Sequence, residues 1–265
     1  MGTIKGGEFL IKEIKSQDVF VSEEFNEEQK MMKEAVIEFT DREVWPHKER
    51  FENKDYALTE EVMRKAGEMG FLGVSIPEQY GGIGMGFVST MLVTDYISSA
   101  TGSLGTAFGA HTGIGTMPIF LYGTEDQKNK YLPVLTSGEK FGAYCLTEPG
   151  AGSDLANLST KAVLDGDSYM INGSKTWTSD AKDCDYIFAL VRTSPDKPKH
   201  DGISLVLIDM SQPGVRVSPI QLISGASPFC ETYFEDAIVP KEDLIGGVDH
   251  GWTVGKRLLQ FERST

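Results

Sequence analysis

Apolar residues recur at intervals of three and four along the first half of the chain, a spacing that predicts amphipathic helices. We expect a first helix that is capped by Asn26 and ends at Trp45-Pro46, and a second that begins at Thr59 and ends at Gly70. Further helices are predicted over residues 91–97, over residues 102–120 and, after a capping box of Thr124 and Gln127, as far as residue 135.

From Lys140 onward the pattern changes to short apolar stretches separated by Gly, Asp, Asn and Pro, as in strands joined by turns. Residues 165–167 and the pair Asn172-Gly173 are typical of hairpin turns. With no helix between them, such strands predict an antiparallel β-barrel or sandwich. The predicted strands are residues 141–146, 158–164, 169–171, 186–191, 203–208, 215–219 and 231–234.

Helical spacing returns at Trp252 and continues to Thr265 without a cap residue, so we expect the chain to end inside a helix. The predicted fold class is therefore α+β, with three parts. A helical domain covers residues 1–139, a β-domain covers residues 140–247, and residues 248–265 form the first helix of a truncated C-terminal helical domain.

Composition narrows the classes of protein that fit this pattern. Of the 265 residues, 40% are hydrophobic and 24% are charged, the balance of a globular protein. A net charge of -14 argues against binding to nucleic acid or to an anionic membrane surface. It does not exclude an anionic small ligand, which local basic residues could hold. Three cysteines and four scattered histidines indicate neither a disulfide framework nor a metal site. Without an apolar run of about 20 residues or a targeting pattern, we expect a protein of the cytoplasm or mitochondrial matrix, with no membrane-spanning segment.

Two stretches contain residues suited to ligand binding. Residues 144–154 read Y-C-L-T-E-P-G-A-G-S-D, a strand followed by glycines and hydroxyls that could approach phosphate oxygens, or equally a solvated turn. Residues 171–179 read I-N-G-S-K-T-W-T-S, where a flat ligand could stack on Trp177 while a hydroxyl donates to it. The alternative for Trp177 is burial between sheets.

Together these two stretches closely resemble the paired flavin-loop signatures of the acyl-CoA dehydrogenase family. Three further segments resemble the same family, and the resemblance covers nearly the whole chain from about Asn26. They read I-P-E-Q-Y-G-G-I-G at residues 76–84, G-T-E-D-Q-K-N-K-Y-L at residues 123–132, and F-E-D-A-I-V-P-K-E-D-L-I-G at residues 234–246.

The resemblance implies FAD as the cofactor and assigns residues to it. Thr147 would hydrogen-bond the pyrimidine side of the isoalloxazine, Trp177 would pack against the ring, and Ser179 would place its hydroxyl near N5. Ser153 would also contact the CoA ester. The full set of implied flavin contacts is Tyr144, Cys145, Leu146, Thr147, Gly152, Ser153, Trp177, Thr178 and Ser179.

The resemblance also implies α,β-dehydrogenation of an acyl-CoA thioester, for which a carboxylate must remove the α-proton. In isovaleryl and long-chain members this glutamate precedes an arginine on the first helix of the C-terminal domain. Here that pair is Glu262-Arg263, so Glu262 is the candidate base, and Gln260 and Arg263 would lie beside the substrate. In other members the base lies further along the chain than this position. The structural alternative for Glu262-Arg263 is an ordinary charged pair on the surface of a helix.

Residues 102–115 are unusually rich in glycine and alanine, which permits either close helix packing or a hollow for an acyl tail. The run Gly109-Ala110-His111 resembles very-long-chain members, whereas medium-chain members carry a bulkier polar residue near Ala110. We therefore expect a medium- to long-chain acyl-CoA substrate that contacts Gly109 and Ala110.

The resemblance further implies that electrons pass to electron-transfer flavoprotein and that the full-length protein is a homo-oligomer, either a dimer or a tetramer. Two other functions fit the same residues. One is a flavin oxidase or monooxygenase on the same scaffold, and the other is a non-catalytic subunit of a two-chain enzyme.

Overall fold

The computed structural model describes residues 7–15, 20, 22–225 and 227–262. Within them, the first half of the chain is helical. Its α-helices are α1 (Glu27–Phe39), α2 (Lys48–Glu52), α3 (Tyr56–Glu68), α4 (Phe87–Ala100), α5 (Gly102–Gly109), α6 (Met117–Tyr122) and α7 (Glu125–Thr136). None of the helices in these residues is long and apolar enough to cross a bilayer.

The predicted helix caps at Asn26 and Thr124 are confirmed, each in a reciprocal capping box with the residue three positions later. Gly70 follows α3 with a left-handed φ of 78°, a conformation that glycine adopts without steric cost. The predicted start at Thr59 is wrong, because Asp55 accepts a hydrogen bond from the Leu58 N–H and caps α3 one turn earlier.

The single helix predicted over residues 102–120 is divided into three parts. After α5 the chain forms one π-helical turn at Ala110–Gly115, and α6 then begins with Pro118 in its first turn. A proline is tolerated there because its missing N–H would have no helical partner. The π turn widens the helix where it packs against the backbone of Gly142. A Cβ on Gly115 would lie 2.5 Å from the Gly142 carbonyl oxygen, so a side chain at position 115 would prevent this close approach.

Eight strands in the described residues form one sheet. They are β1 (Gly142–Cys145), β2 (Lys161–Asp165), β3 (Ser168–Ser179), β4 (Tyr186–Arg192), β5 (Ile203–Asp209), β6 (Val215–Pro219), β7 (Phe229–Pro240) and β8 (Leu244–Ile245). Their order is β6-β7-β3-β2-β4-β5-β8, with β1 beside β4. Although three strands separate β5 from β7 in that order, the two contact each other, so the sheet curls as the predicted barrel or sandwich requires.

Two features of the sheet differ from the prediction. The sheet is mixed, because β1 runs parallel to β4 and β2 meets β4 in a parallel pairing, although most pairings are antiparallel. Asn172-Gly173 forms no hairpin turn; it lies inside β3 at a register shift. There the Asn172 side chain accepts from the Asp236 N–H at 3.0 Å and donates to its carboxylate at 2.9 Å, which keeps the strand paired with β7.

Alternate residues of the central strands supply two cores. Phe188, Leu190 and Leu205 face the helical half, where they join Tyr131, Leu132 and Leu135, and also Val254 and Leu258 of the final helix, α8 (Gly251–Glu262). Ile187, Ala189 and Val206 face the inside of the curled sheet with Phe234 and Val239. Because β4 and β5 are buried on both faces, they are fixed relative to the helices and to the rest of the sheet.

Candidate functional site

A cleft of about 600 Å³ opens where α5, β1, β3 and α8 meet. It brings together residues from the two flavin-loop motifs, from the glycine-rich stretch 102–115 and from the last helix. The predicted site residues that line it are Tyr144, Cys145, Leu146 and Thr147 at the end of β1 and just beyond it, Trp177, Thr178 and Ser179 at the end of β3, Gly109 and Ala110 at the end of α5 and just beyond it, and Glu262 on α8.

The two predicted flavin loops lie side by side at the floor of this cleft. The Thr176 N–H donates to the Thr147 carbonyl at 2.8 Å, which joins the end of β3 to the loop that follows β1. The loop is therefore not the ordinary solvated turn that the sequence also allowed, because strand β3 fixes its position.

A β-bulge turns Trp177 out of the sheet. In the pairing of β3 with β7, Lys175 opposes Thr232 and Thr178 opposes Cys230, so β3 contains one extra residue in this interval. Trp177 adopts a left-handed φ of 60°, and the side chain remains 55% exposed. Bulges of this kind re-aim side chains near functional sites. The indole is thus not buried between sheets, and it presents a flat surface to the cleft.

An ion pair beneath the floor holds the two loops together. Lys175 is fully buried and donates to the Glu148 carboxylate at 2.8 Å and to the Leu146 carbonyl at 3.1 Å. Burial by itself would raise the pKa of Glu148, but the Lys175 charge and hydrogen bonds from Lys175, Thr160 and Ser159 lower it to about 2. Sequence reasoning missed this pair; the signal was an acid and a lysine inside the two flavin-loop motifs.

Polar residues at the cleft surface also suit a polar ring system. Thr147 and Ser179 line the cleft beside the exposed Trp177, and together they fit a flat heterocycle with hydrogen-bonding edges. The Thr178 and Tyr144 hydroxyls have no hydrogen-bond partner in the part of the chain that the structure describes, but both oxygens are shielded within the protein.

Glu262 reaches the cleft from α8 together with Leu259. Residues 144–147 of the first flavin loop line the same cleft as Glu262. Burial raises the pKa of the Tyr144 hydroxyl well above its ordinary value. Glu262 is exposed in this structure.

Three predicted site residues in the described part of the chain do not line the cleft. Gly152 and Ser153 are exposed on the loop after β1. Gln260 is exposed on α8, where its side-chain oxygen accepts from Arg257 at 2.8 Å. Arg263 lies outside the described residues.

Comparison with known proteins agrees with this geometry. The sequence profile of the acyl-CoA dehydrogenase N-terminal domain matches residues 26–139, and that of the middle domain matches residues 143–237. The chain belongs to the acyl-CoA dehydrogenase family. It is 36% identical over 263 residues to a probable acyl-CoA dehydrogenase of Bacillus subtilis (strain 168), covering 98% of this chain and 43% of the relative. It is 37% identical to the mitochondrial isobutyryl-CoA dehydrogenase of Dictyostelium discoideum, covering 89% of this chain and 57% of the relative.

Solved structures of the family share the fold. A crystal structure of an acyl-CoA dehydrogenase complexed with FAD from Bacillus anthracis superposes with a TM-score of 0.87 at 37% identity, covering 98% of this chain and 44% of that one. A glutaryl-coenzyme A dehydrogenase in complex with glutaryl-CoA superposes with a TM-score of 0.84 at 33% identity, covering 90% of this chain and 61% of that one. The chain thus spans about two fifths to three fifths of the length of the relatives described here.

Proposed function

We propose that this chain supplies the flavin site and the catalytic base of an FAD-dependent acyl-CoA dehydrogenase. The observation that carries the proposal is the single cleft in which an exposed Trp177, the hydroxyls of Thr147 and Ser179, and the carboxylate of Glu262 meet. A stacking surface, ring-edge donors and a base are the parts that dehydrogenation beside a thioester requires.

In this proposal the loop after β1 and the Trp177 indole would hold the isoalloxazine. Thr147 would donate to its pyrimidine edge, and the Ser179 hydroxyl would serve its N5 side. Gly152 extends the flavin loop, and Ser153 contacts the CoA ester where it passes the cofactor. Bound FAD supplies the hydride acceptor for the reaction.

The Glu262 carboxylate takes the α-proton of the thioester. An α-proton of this kind is weakly acidic, so the base works best when it is removed from water. The substrate and flavin would exclude water from the exposed Glu262 when they fill the cleft. Arg263 and Gln260 would orient the CoA ester near this end of α8.

The acyl tail extends towards Gly109 and Ala110, where the wall of the cleft has little or no side chain. This favours a medium- to long-chain acyl group.

We further propose electron-transfer flavoprotein as the electron acceptor, a homo-oligomeric assembly, and a location in the cytoplasm or mitochondrial matrix. Membership of the family supports each of these three proposals.

The proposal is tested by mixing the purified full-length protein with acyl-CoA without oxygen and following bleaching of the flavin by stopped flow. Wild-type protein should be reduced rapidly, and Glu262→Gln should keep FAD while reduction slows by about 10²–10⁴-fold, as expected for loss of a general base. Glu38→Gln, at an exposed glutamate of α1 outside the cleft, is the matched control and should behave like wild type.

Other outcomes would point elsewhere. If Glu262→Gln were reduced within about tenfold of wild type, the base would be another residue. Rapid peroxide formation in air would favour the oxidase, and a protein without bound flavin would favour the non-catalytic subunit.

A further inference from the structure

Helix α8 packs against the first flavin-loop motif at Gly255, a buried position beside the Tyr144 side chain. A Cβ on Gly255 would lie 3.1 Å from the Tyr144 hydroxyl oxygen and 3.3 Å from Cδ1 of Leu190. Both distances are shorter than an ordinary non-bonded contact of about 3.5 Å. A side chain at position 255 would therefore displace either Tyr144 or the helix.

Gly255 lies on the face of α8 that also carries Leu259 and Glu262. Residues four and seven positions apart on an α-helix complete about one and two turns, so their side chains point in similar directions. Leu259 and Glu262 line the cleft, and so does Tyr144. The contact between Gly255 and Tyr144 consequently limits how closely this face of α8 can approach the flavin loop.

The first turn of α8 is held on strand β5. A Cβ on Gly251 would lie 2.3 Å from the carbonyl carbon of Ser204, so the backbones touch at this point. Just before the helix, the Asp249 N–H donates to the Ser204 hydroxyl at 2.8 Å. The Asp249 carboxylate accepts from Thr193 at 2.6 Å and from Lys197 at 2.7 Å. These contacts make the start of α8 a fixed point.

A small displacement at position 255 grows along the helix. At a rise of about 1.5 Å per residue, Gly251 is about 6 Å from Gly255 and about 16 Å from Glu262. Moving position 255 outward by about 0.4 Å, to an ordinary contact distance, would therefore move position 262 by about 1 Å. A misplacement of about 1 Å at a reacting group can cost about 10²-fold in rate.

We propose that Gly255 and Tyr144 are positioning residues that set the distance between Glu262 and the flavin loop. This inference rests on the proposed function, because it takes Glu262 as the base. An alanine at position 255 moves the carboxylate away from the α-carbon of the substrate. It leaves unchanged the loops assigned to the flavin and the glycine-rich wall assigned to the acyl tail. Proton removal should consequently slow while binding is retained.

The test uses the full-length protein with FAD bound. Gly255→Ala should slow anaerobic flavin reduction at saturating acyl-CoA by about 10–100-fold, whereas Kd for FAD and for acyl-CoA should stay within about twofold of wild type. Alanine is a better helix former than glycine, so the change preserves α8. Gly86→Ala, at a glycine where a Cβ would meet no atom within 4 Å, is the control and should be reduced at the wild-type rate. A wild-type rate for Gly255→Ala, or a loss confined to binding, would overturn the inference.

A second substitution tests whether the Tyr144 hydroxyl is the obstacle. In Tyr144→Phe/Gly255→Ala the new methyl group takes the space of the oxygen that has been removed. This oxygen has no hydrogen-bond partner in the described part of the chain, so no such bond is lost there. The double variant should be reduced at least about tenfold faster than Gly255→Ala. Equal rates for the two would show that this contact does not set the position of Glu262.

The Glu262→Gln background tests whether the effect passes through the base. Adding Gly255→Ala to Glu262→Gln should slow reduction by less than about threefold, because the group being positioned is already absent. A further loss as large as in the wild-type background would overturn the inference.

Crystal structures of full-length wild type and Gly255→Ala measure the placement without relying on activity. The Cα of residue 262 should lie about 1 Å farther from Thr147 in the variant. An unchanged distance would overturn the inference even if Glu262 is the base. If Glu262→Gln were reduced as fast as wild type, the proposed base would fail, and this distance would still decide whether Gly255 sets the position of α8.

Discussion

Trp177 is the residue whose exposed surface defines the proposed flavin site. If the indole stacks on the isoalloxazine, Trp177→Ala should weaken FAD binding by about tenfold, the size expected for loss of an aromatic stacking contact. The Kd for FAD from fluorescence titration, together with the visible spectrum of the bound flavin, measures this. Trp45→Ala, at another exposed tryptophan outside the cleft, is the matched control. The same Kd in both variants and wild type would remove Trp177 from the site.

The Glu148–Lys175 pair is predicted to support the flavin loops from below. Lys175→Met would leave a buried carboxylate without its partner, so the free energy of unfolding should fall by about 3–5 kcal/mol. Lys199→Met breaks an exposed pair with Asp154 and should change the free energy by about 1 kcal/mol or less. Urea denaturation of each variant measures the difference.

The double variant Glu148→Gln/Lys175→Met tests the reason for this loss. Because it removes the unpaired charge, it should recover part of the stability lost in Lys175→Met. If the double variant were no more stable than Lys175→Met, the loss would come from packing and not from the uncompensated carboxylate.

At the scale of one element, the glycine-rich helix α5 combines two roles that the sequence presented as alternatives. A Cβ on Gly105 would lie 2.7 Å from the Ser98 hydroxyl oxygen and 2.9 Å from the Ser98 Cα, so this glycine allows close packing of α5 on α4. Gly105 and Gly109, which is one turn later, both line the cleft. Close packing on α4 and a hollow for the tail therefore coexist on one helix.

Gly109→Glu should separate these roles. The new side chain would fill the space that we assign to the tail, at a cost of about 0.8 kcal/mol for each methylene that is no longer buried. The loss in kcat/KM should therefore be much larger for long acyl-CoAs than for butyryl-CoA. Gly105→Ala should instead lower thermal stability and affect both substrates similarly. Equal losses on both substrates with Gly109→Glu would show that position 109 serves helix packing only.

At the scale of the whole molecule, His111 connects the helical half to the sheet. Its Nε2–H donates to the Leu135 carbonyl at 2.9 Å, and its Nδ1 accepts from the Gly142 N–H at 3.3 Å. These two bonds require the neutral ring. Burial lowers the pKa of His111 from its ordinary 6.5 to about 4.

The stability of the protein should consequently depend on pH between these two values. The unfolded chain binds the proton first as the pH falls, so the contribution of His111 is complete above about pH 6.5 and declines towards pH 4, by about 3 kcal/mol in total. Urea denaturation of wild type and His111→Gln at a series of pH values checks this. His250→Asn, at an exposed histidine, should keep the wild-type pH dependence. A His111→Gln profile parallel to that of wild type would contradict the prediction.

Much of the fold could be predicted from the sequence because it depends on local interactions. The capping boxes at Asn26 and Thr124 and the left-handed stop at Gly70 depend on residues within four positions of each other, and all three were predicted correctly. The two loop signatures likewise lie in contiguous segments. Each signature indicates the family from its own residues, without any contact between the two segments.

Only the tertiary structure decided what depends on distant partners. The parallel pairing of β1 with β4 joins residues 44 positions apart, and Asn172-Gly173 stays extended because Asp236, 64 residues away, pairs with Asn172. The outward turn of Trp177 follows from the register of β3 against β7. The Glu148–Lys175 pair also depends on the assembled chain. Hydrophobic and turn patterns encode local conformation, whereas strand register and the pairing of buried charges are fixed only when separate segments pack together.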